Sequence, residues 1–411
     1  VDPGPSTPDA VTEHPPPPAG DTAHPVRLVV LLGSLTAFGP FSIDMYLPAF
    51  PSLSADLHAG PSAVQLTLTA CLIGLAAGQL VAGPLSDTLG RRRPLLVGLV
   101  VYTVLSAACV FAPSVYVLAA LRLVQGVGGA AGIVIAGAAV RDRYAGVAMA
   151  RFLSTLMLVN GLAPIAAPVV GGQLLRAVSW RGVFVVLTGI GLVLLLACLA
   201  WFDESLPPGR RRSGGLGDTV RSFGRLLRDR SFAGNALSGG LAVGAMFAYI
   251  SGSSFVLQDI FGLSPQLFGL VFGTNAFGII AVGQLNRWLV GRFAPRSLLA
   301  VGLGTSTAGG LLLLVAVLAG WGLPVLLPAL FAVVASVGVV LPNTRALAMA
   351  GYPDRAGTAS ALLGMLQFAI GGVVAPLIGI GGTGTAVPMA VVIAVLASAG
   401  WAVFGVLTGR R

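Results

Sequence analysis

GPLSDTLGRRRPLL, residues 83–96, decides how this chain is read. The stretch is charged and marked by glycines, and it sits between two uncharged apolar runs, residues 63–86 and 94–112. A run of about twenty uncharged residues is long enough to cross a bilayer as a helix. The stretch is therefore expected to be a hairpin at the membrane edge, on the cytoplasmic side, because the adjacent cations Arg91 to Arg93 resist translocation. Gly83 would permit close helix contact, and Gly90 would supply the backbone freedom of a tight turn. Asp87, set among cations and helix ends, can bind both. An ordinary positive-inside loop would share these features, and the three arginines alone do not separate the two readings.

The composition extends this reading to the whole chain. Of 411 residues, 56% are hydrophobic and only 9% charged, and the mean hydropathy is +0.92; soluble domains carry about 25% charge. An all-α membrane protein follows. All 24 basic residues are arginine, which excludes a GxxxxGK[ST] phosphate loop and lysine Schiff-base chemistry. A net charge of +10 would suggest nucleic acid in a soluble protein. Here the arginines flank apolar spans, so topology accounts for them and no nucleic-acid partner is expected. Cys71, Cys109 and Cys198 fall inside apolar runs, and His14, His24 and His58 in the tail or first loop. No metal, cofactor or nucleophile–base set is expected, and so no enzyme.

Residues 1–25 are proline-rich and acidic, without the basic start and short apolar core of a cleavable signal, and read as a disordered cytoplasmic tail. Twelve apolar segments follow, at about 26–50, 62–86, 94–112, 115–140, 150–175, 181–202, 232–257, 267–290, 297–319, 323–345, 357–380 and 386–408. With the N-terminus inside, twenty-one arginines fall on the cytoplasmic side and two, Arg176 and Arg181, outside. That imbalance places both termini in the cytoplasm of a multi-pass plasma-membrane protein. Trp180, Trp201, Trp288 and Trp321 fall at span ends, as an interfacial belt requires. The connection 203–231 is expected to carry an amphipathic helix on the inner leaflet, with Leu216, Val220, Phe223 and Leu227 on one face; a flexible arginine-rich linker fits almost as well. It divides a six-helix bundle, 26–202, from a second, 232–411. The halves echo each other: Gly78-Gln-Leu80 matches Gly283-Gln-Leu285, and Ala167-Pro-Val-Val-Gly171 matches Ala375-Pro-Leu-Ile-Gly379. Two pseudo-symmetric bundles around a central site are a common transporter plan.

Two charged residues fall well inside spans, Asp44 and Arg122. Each costs about 2.5–3.5 kcal/mol to insert, which marks both as functional candidates. At about 1.5 Å per residue both lie roughly 8–15 Å below the outer surface and can face one cavity. Asp44 would hold a proton or a substrate, with Arg122 tuning it. Asp44 could instead sit at the wet rim of its span, and Arg122 could equally be a pin bonded to carbonyls or to Gln125. The uncharged polar cavity candidates are Tyr46, Gln125, Tyr249, Asn275 and Gln367. In span five, Pro164 and Pro168 bend the helix, while Gly161, Gly171 and Gly172, next to Asn160, admit a close neighbour.

These residues resemble the major facilitator superfamily across all twelve spans. Gly83-x-Leu-Ser-Asp-x-x-Gly-Arg-Arg is similar to its loop 2–3 signature. Leu121-Arg-Leu-Val-Gln-Gly126 resembles the span-four signature of its drug–proton antiporters. Span five resembles their antiporter signature, with Ala167 where glycine usually precedes the proline. Phe41-Ser-Ile-Asp-Met-Tyr-Leu-Pro-Ala-Phe-Pro51 and Val140-Arg-Asp-Arg-Tyr144 are similar to the bicyclomycin/chloramphenicol-resistance branch in particular. Some members carry a second acid earlier in span one; Thr36 stands there in this chain. The resemblance implies that Asp87 latches onto span eleven in the outward-facing state, and that Arg91 or Arg92 pairs with Asp142. It also implies that span five flexes, that Asp44 is the embedded acid, and that Arg122 assists proton release. A monomeric, proton-coupled exporter of apolar or amphiphilic drug-like compounds is the expectation, with lipid as its other partner. A transporter of a small metabolite, such as a nucleobase or amino-acid derivative, is the alternative on the same scaffold.

Overall fold

The computed structural model describes residues 25–144, 146–211, 216–352, 356–379 and 384–408. Nearly all of the expected tail, Arg212, Arg355, Arg410 and Arg411 lie outside them. Among the described residues fourteen α-helices form: α1 Pro25–Asp44, α2 Phe50–Asp56, α3 Pro61–Leu89, α4 Arg92–Val110, α5 Val115–Arg143, α6 Gly146–Leu174, α7 Trp180–Trp201, α8 Leu216–Arg228, α9 Arg230–Phe255, α10 Pro265–Leu289, α11 Pro295–Leu318, α12 Leu323–Met349, α13 Ala356–Ile378 and α14 Val387–Thr408. Among the described residues twelve spans are long and apolar enough to cross a membrane, and no strand occurs. Short connections make successive spans antiparallel, so one face gathers the arginine hairpins; it is called the arginine face below, and its opposite the far face.

Span one is longer than its apolar run and is interrupted. It ends as an α-helix at Asp44, passes through a 3-10 turn at Leu47–Ala49 and resumes as α2. Proline explains the break, since Pro48 and Pro51 have no N–H for the carbonyls of Asp44 and Leu47. The hairpin at 83–96 is tighter than its sequence suggests: α3 runs through Pro84 to Leu89, and only Gly90 and Arg91 turn the chain. Gly90 has φ +90°, a conformation that favours glycine. Gly83, by contrast, is not at a close helix contact, because a Cβ there would meet only Val134 at 3.9 Å.

α1 and α3–α7 pack among themselves, as do α9–α14. Two seams join the groups, α3 against α13 and α6 against α10. α8 does not lie free on a leaflet. Phe223 and Leu226 are buried against Phe232 and Ala236 of α9, Ala348 of α12 and Leu362 and Leu363 of α13, with Leu80 of α3 at the edge. The buried face thus uses Leu226, while Leu227 stays exposed. Trp201, Trp288 and Trp321 are exposed at span ends, but Trp180 is buried and donates from Nε1 to Asp56 Oδ2 at 2.9 Å. An acid 124 residues earlier, at the end of α2, recruited it from the belt into the core.

Candidate functional site: an embedded carboxyl between two helix bundles

The break after α1 positions Asp44. It is 5% exposed, and its Oδ1 is buried with no hydrogen-bond partner. Across the junction of the halves stands Tyr249 of α9, close enough for the Asp44 charge to act on its phenol. The Tyr249 hydroxyl accepts a bond of 2.9 Å from Asn275 Nδ2 of α10, and its ring stacks on Phe272. Asp44, Tyr249 and Asn275 therefore gather where the bundles meet; Gln367, half-buried on α13, makes no hydrogen bond to them.

Arg122 sits elsewhere. Fully buried, it makes no ion pair with Asp44. Its Nη1 donates to Gln125 Oε1 at 2.6 Å and Ser42 Oγ at 3.1 Å, and its Nη2 to the Ser42 carbonyl at 2.8 Å. The guanidinium carbon lies 4.6 Å from the Tyr46 ring centroid and 5.7 Å from that of Phe184. Gln125 passes the chain on to Ser106 Oγ at 2.6 Å, and Tyr46 bonds Thr67. Arg122, Gln125 and Tyr46 are thus packed inside the first bundle and are not cavity walls. Of the two roles open to Arg122, the contacts are those of a pin. Because it grips the backbone two residues before Asp44, it fixes where α1 carries that acid.

The far face is closed. Four hydrogen bonds cross between the halves among the described residues, and all lie at that end. Ser254 Oγ donates to the Leu47 carbonyl at 2.6 Å, and Gln258 Nε2 to the Pro48 carbonyl at 3.2 Å. Gln65 Nε2 donates to the Ser251 carbonyl at 3.1 Å, and Gln266 Nε2 to the Gly172 carbonyl at 2.8 Å. Leu47 is available because Pro51 cannot donate to it; Phe50 N takes one lone pair and Ser254 the other. In α6, Gly171 abuts the Met45 carbonyl, and a Cβ on Gly172 would come within 2.6 Å of the Pro265 carbonyl of α10. A Cβ on Gly269 would stand 2.7 Å from the Pro168 carbonyl. The two glycines let α6 touch both halves at once. Along the α6–α10 seam, Gly161 still meets Ile280, at 3.3 Å; past it Asn160, Leu158, Thr155 and Arg151 are exposed. The α6–α10 seam loosens toward the arginine face, and the space between the bundles on that side is called the crevice below.

That face carries a charged lock within the first bundle. Arg91, not Arg92, pairs with Asp142: Nε reaches Oδ2 at 2.8 Å, while Nη1 reaches Asp87 Oδ1 at 2.5 Å and Ser86 Oγ at 2.7 Å. Arg92 Nη2 donates to the Leu199 carbonyl at 2.9 Å. Asp87 is bound to Arg91, not to α13. Glu204 accepts from the backbone N–H groups of Arg91 at 2.7 Å and Arg92 at 3.2 Å, and it presses against Gly90. Burial pushes its carboxyl up, but the N–H groups of Leu206, Arg91 and Arg92 outweigh this and hold it below the usual value. Arg91 loses hydration on burial, yet Asp142 and Asp87 keep its pKa above the ordinary arginine value.

Ser42, Gln65, Glu204, Ser254 and Gln258 were not legible as site residues. Only the prolines after Asp44, which free carbonyls, hinted at the far-face bonds.

The family model described as Major Facilitator Superfamily matches residues 32–376. The chain belongs to this superfamily. It is 42% identical over 392 residues to the uncharacterized MFS-type transporter YdgK of Bacillus subtilis, covering 94% of this chain and 96% of that one. Identity to the bicyclomycin resistance protein homolog of Haemophilus influenzae is 33%, covering 90% and 94%. A chloramphenicol resistance protein of Pseudomonas aeruginosa is 31% identical, covering 85% and 82%. Among solved structures, an inward-facing, occupied bacterial homolog of the lysosomal transporter Spinster superposes with a TM-score of 0.70 at 18% identity, covering 93% and 96%. The fold is thus that of the superfamily, and the named relatives include the resistance proteins whose motifs this sequence resembles. The chain is a multi-pass membrane protein with a transporter fold.

Proposed function

We propose that this protein is a proton-coupled exporter of drug-like, apolar or amphiphilic compounds in the plasma membrane, with the arginine face in the cytoplasm. The observation that carries this is the unpartnered Asp44 carboxyl at the junction of the halves. A bare carboxylate there is costly. A proton removes that cost, and so does a hydrogen-bonding or cationic group on a substrate, so one site serves both in turn. Protonation from outside returns the emptied carrier to the inward-open form described above, and release inward accompanies substrate loading. Tyr249, bonded to Asn275 in the second half, stands within reach of the Asp44 charge, so that charge bears on how the halves meet. Arg122 holds the α1 backbone in register and does not itself exchange the proton. The membrane potential contributes about 2.3 kcal/mol per charge per 100 mV. At ~150 mV one proton sustains about a 10²–10³-fold gradient of a neutral substrate. The resistance relatives favour a drug over a metabolite.

Asp44→Asn is expected to abolish proton-driven export while leaving the protein folded and inserted. Purified protein in vesicles with an imposed pH gradient, challenged with an antibiotic panel, measures this. Undiminished drug-driven proton movement by Asp44→Asn would sink the assignment.

A further inference from the structure

Many arginines of the arginine face are held by a partner, and those without one, such as Arg93, Arg151 and Arg287, are exposed. Arg91, Arg92 and Arg143 bond carboxylates or carbonyls, and Arg27, Arg292 and Arg296 lie over aromatic rings. Arg345 of α12 is different. It is half-buried, and among the described residues it has no hydrogen-bond or ion-pair partner and no ionisable group acting on it.

Its direction follows from the helix. Val340 packs on Gly302 of α11, Thr344 on Gly239 of α9, and Gly338 on the Ile279 carbonyl of α10. At about 100° per residue, Arg345 falls between the directions of Thr344 and Gly338 and about 140° away from Val340. It therefore projects between α9 and α10, away from the peripheral α11 and toward the crevice. Pro342, one turn earlier, is exposed, whereas Gly338 is buried, so this side of α12 opens only at its arginine-face end. The one acid among the described residues of the second-half spans is Asp259, at the far face. Among the described residues no carboxylate bonds the guanidinium.

A half-buried guanidinium with free donors suits a carboxylate or phosphate, whose paired oxygens match its planar fork. We propose that Arg345 is an anion-binding position in the crevice, taking the carboxylate or phosphate head of an amphiphile whose apolar body lies against Leu341 and the walls above. The claim that this amphiphile is a transported substrate rests on the export reading; the binding claim does not. The same chemistry could come from a free amphiphile or from an anionic phospholipid head group entering from the inner leaflet.

The test uses the full chain, purified in a neutral maltoside, and follows its unfolding temperature during titration with dodecyl phosphate. Parallel samples sit in nanodiscs of phosphatidylcholine with or without phosphatidylglycerol. Arg345→Ala is compared with Arg345→Lys and with Arg93→Ala, an exposed cation of the same face. Dodecyl phosphate should stabilise wild type and Arg93→Ala saturably, with affinity about tenfold weaker in Arg345→Ala and about threefold weaker in Arg345→Lys. Stabilisation that needs phosphatidylglycerol and vanishes in Arg345→Ala also supports the site and identifies a lipid as its ligand. Equal responses of wild type and Arg345→Ala in both media overturn it. If Arg345→Ala does not fold, Arg345→Gln replaces it under the same criteria. No gradient is used, so a negative result leaves the Asp44 coupling test untouched.

Discussion

The two arginine hairpins occupy the same place in the two halves, after the second span of each, yet they are held by different physics. In the first, Arg91 is locked between Asp87 and Asp142, and Glu204 caps the turn from the linker side. In the second, between α10 and α11, no carboxylate takes part. Asn343 Nδ2 donates to Asn286 Oδ1 at 2.6 Å, and Arg292 lies over Trp288 at 3.8 Å. The hairpin recurs in both halves and its lock does not. A charged lock is strong and partner-selective, because any group that leaves it must find another counter-charge. A neutral amide pair is worth less and can be replaced by packing. The first hairpin is therefore the one suited to exchange partners during a transport cycle, and the second the one suited to stay put.

The largest effect expected is from Arg91→Gln. It leaves two acids of the lock without their cation, a loss of about 3 kcal/mol, read as a fall in unfolding temperature of the purified protein. The pH dependence should share the asymmetry. Glu204 has a folded pKa held below its unfolded value, so its stabilisation is present above the unfolded value and is lost as pH falls through the folded one. Destabilisation of the first hairpin in acid, below the ordinary carboxylate range, should therefore disappear in Glu204→Gln. Next comes Asn343→Leu, expected to cost about 2 kcal/mol because Asn286 is left buried and unpaired. The double variant Asn286→Leu/Asn343→Leu should recover most of that, whereas no apolar pair should rescue Arg91 and Asp142. If the amide pair resists rescue as the ion pair does, the contrast between the hairpins is gone.

How much of this could be read beforehand follows from what each feature depends on. The spans were legible because length and absence of charge suffice, and their edges moved by only a few residues, as at Pro61–Leu89 and Leu323–Met349. The repeat was legible too, and it carries structural content: Gly78-Gln-Leu80 and Gly283-Gln-Leu285 lie on α3 and α10, and the Ala-Pro-x-x-Gly pair on α6 and α13. Those four helices form both seams between the halves. Asp44 was legible as an isolated charge, whereas the two roles left open for Arg122 could not be separated. A depth estimate gives height in the membrane and not azimuth, and Arg122 turns inward to Ser42 and Gln125. Leu227 was assigned to the apolar face of α8 on helical spacing alone; the elements that cover the helix are α3, α9, α12 and α13, which no local pattern encodes, and they meet Phe223 and Leu226.

The smallest predicted effect tests the far face, where neutral bonds again do the holding. Gln258 reaches both the Pro48 carbonyl and Ser254 Oγ from a π-helical turn, Val256–Ile260, at the end of the seventh span. That wider turn is what brings a glutamine to face carbonyls freed by proline on the other half. Gln258→Ala removes both bonds but leaves Ser254 on Leu47, so the expected loss is about 1 kcal/mol of closure. That corresponds to roughly a fivefold shift toward the outward-open form. Spin labels at the exposed Ser179 and Gly384 report it as a larger population of long distances. Ser254→Ala should behave similarly, and the two together should add less than their sum, because Gln258 also bonds Ser254. A change as large as that of Arg91→Gln would mean that this end, too, is held by more than neutral hydrogen bonds.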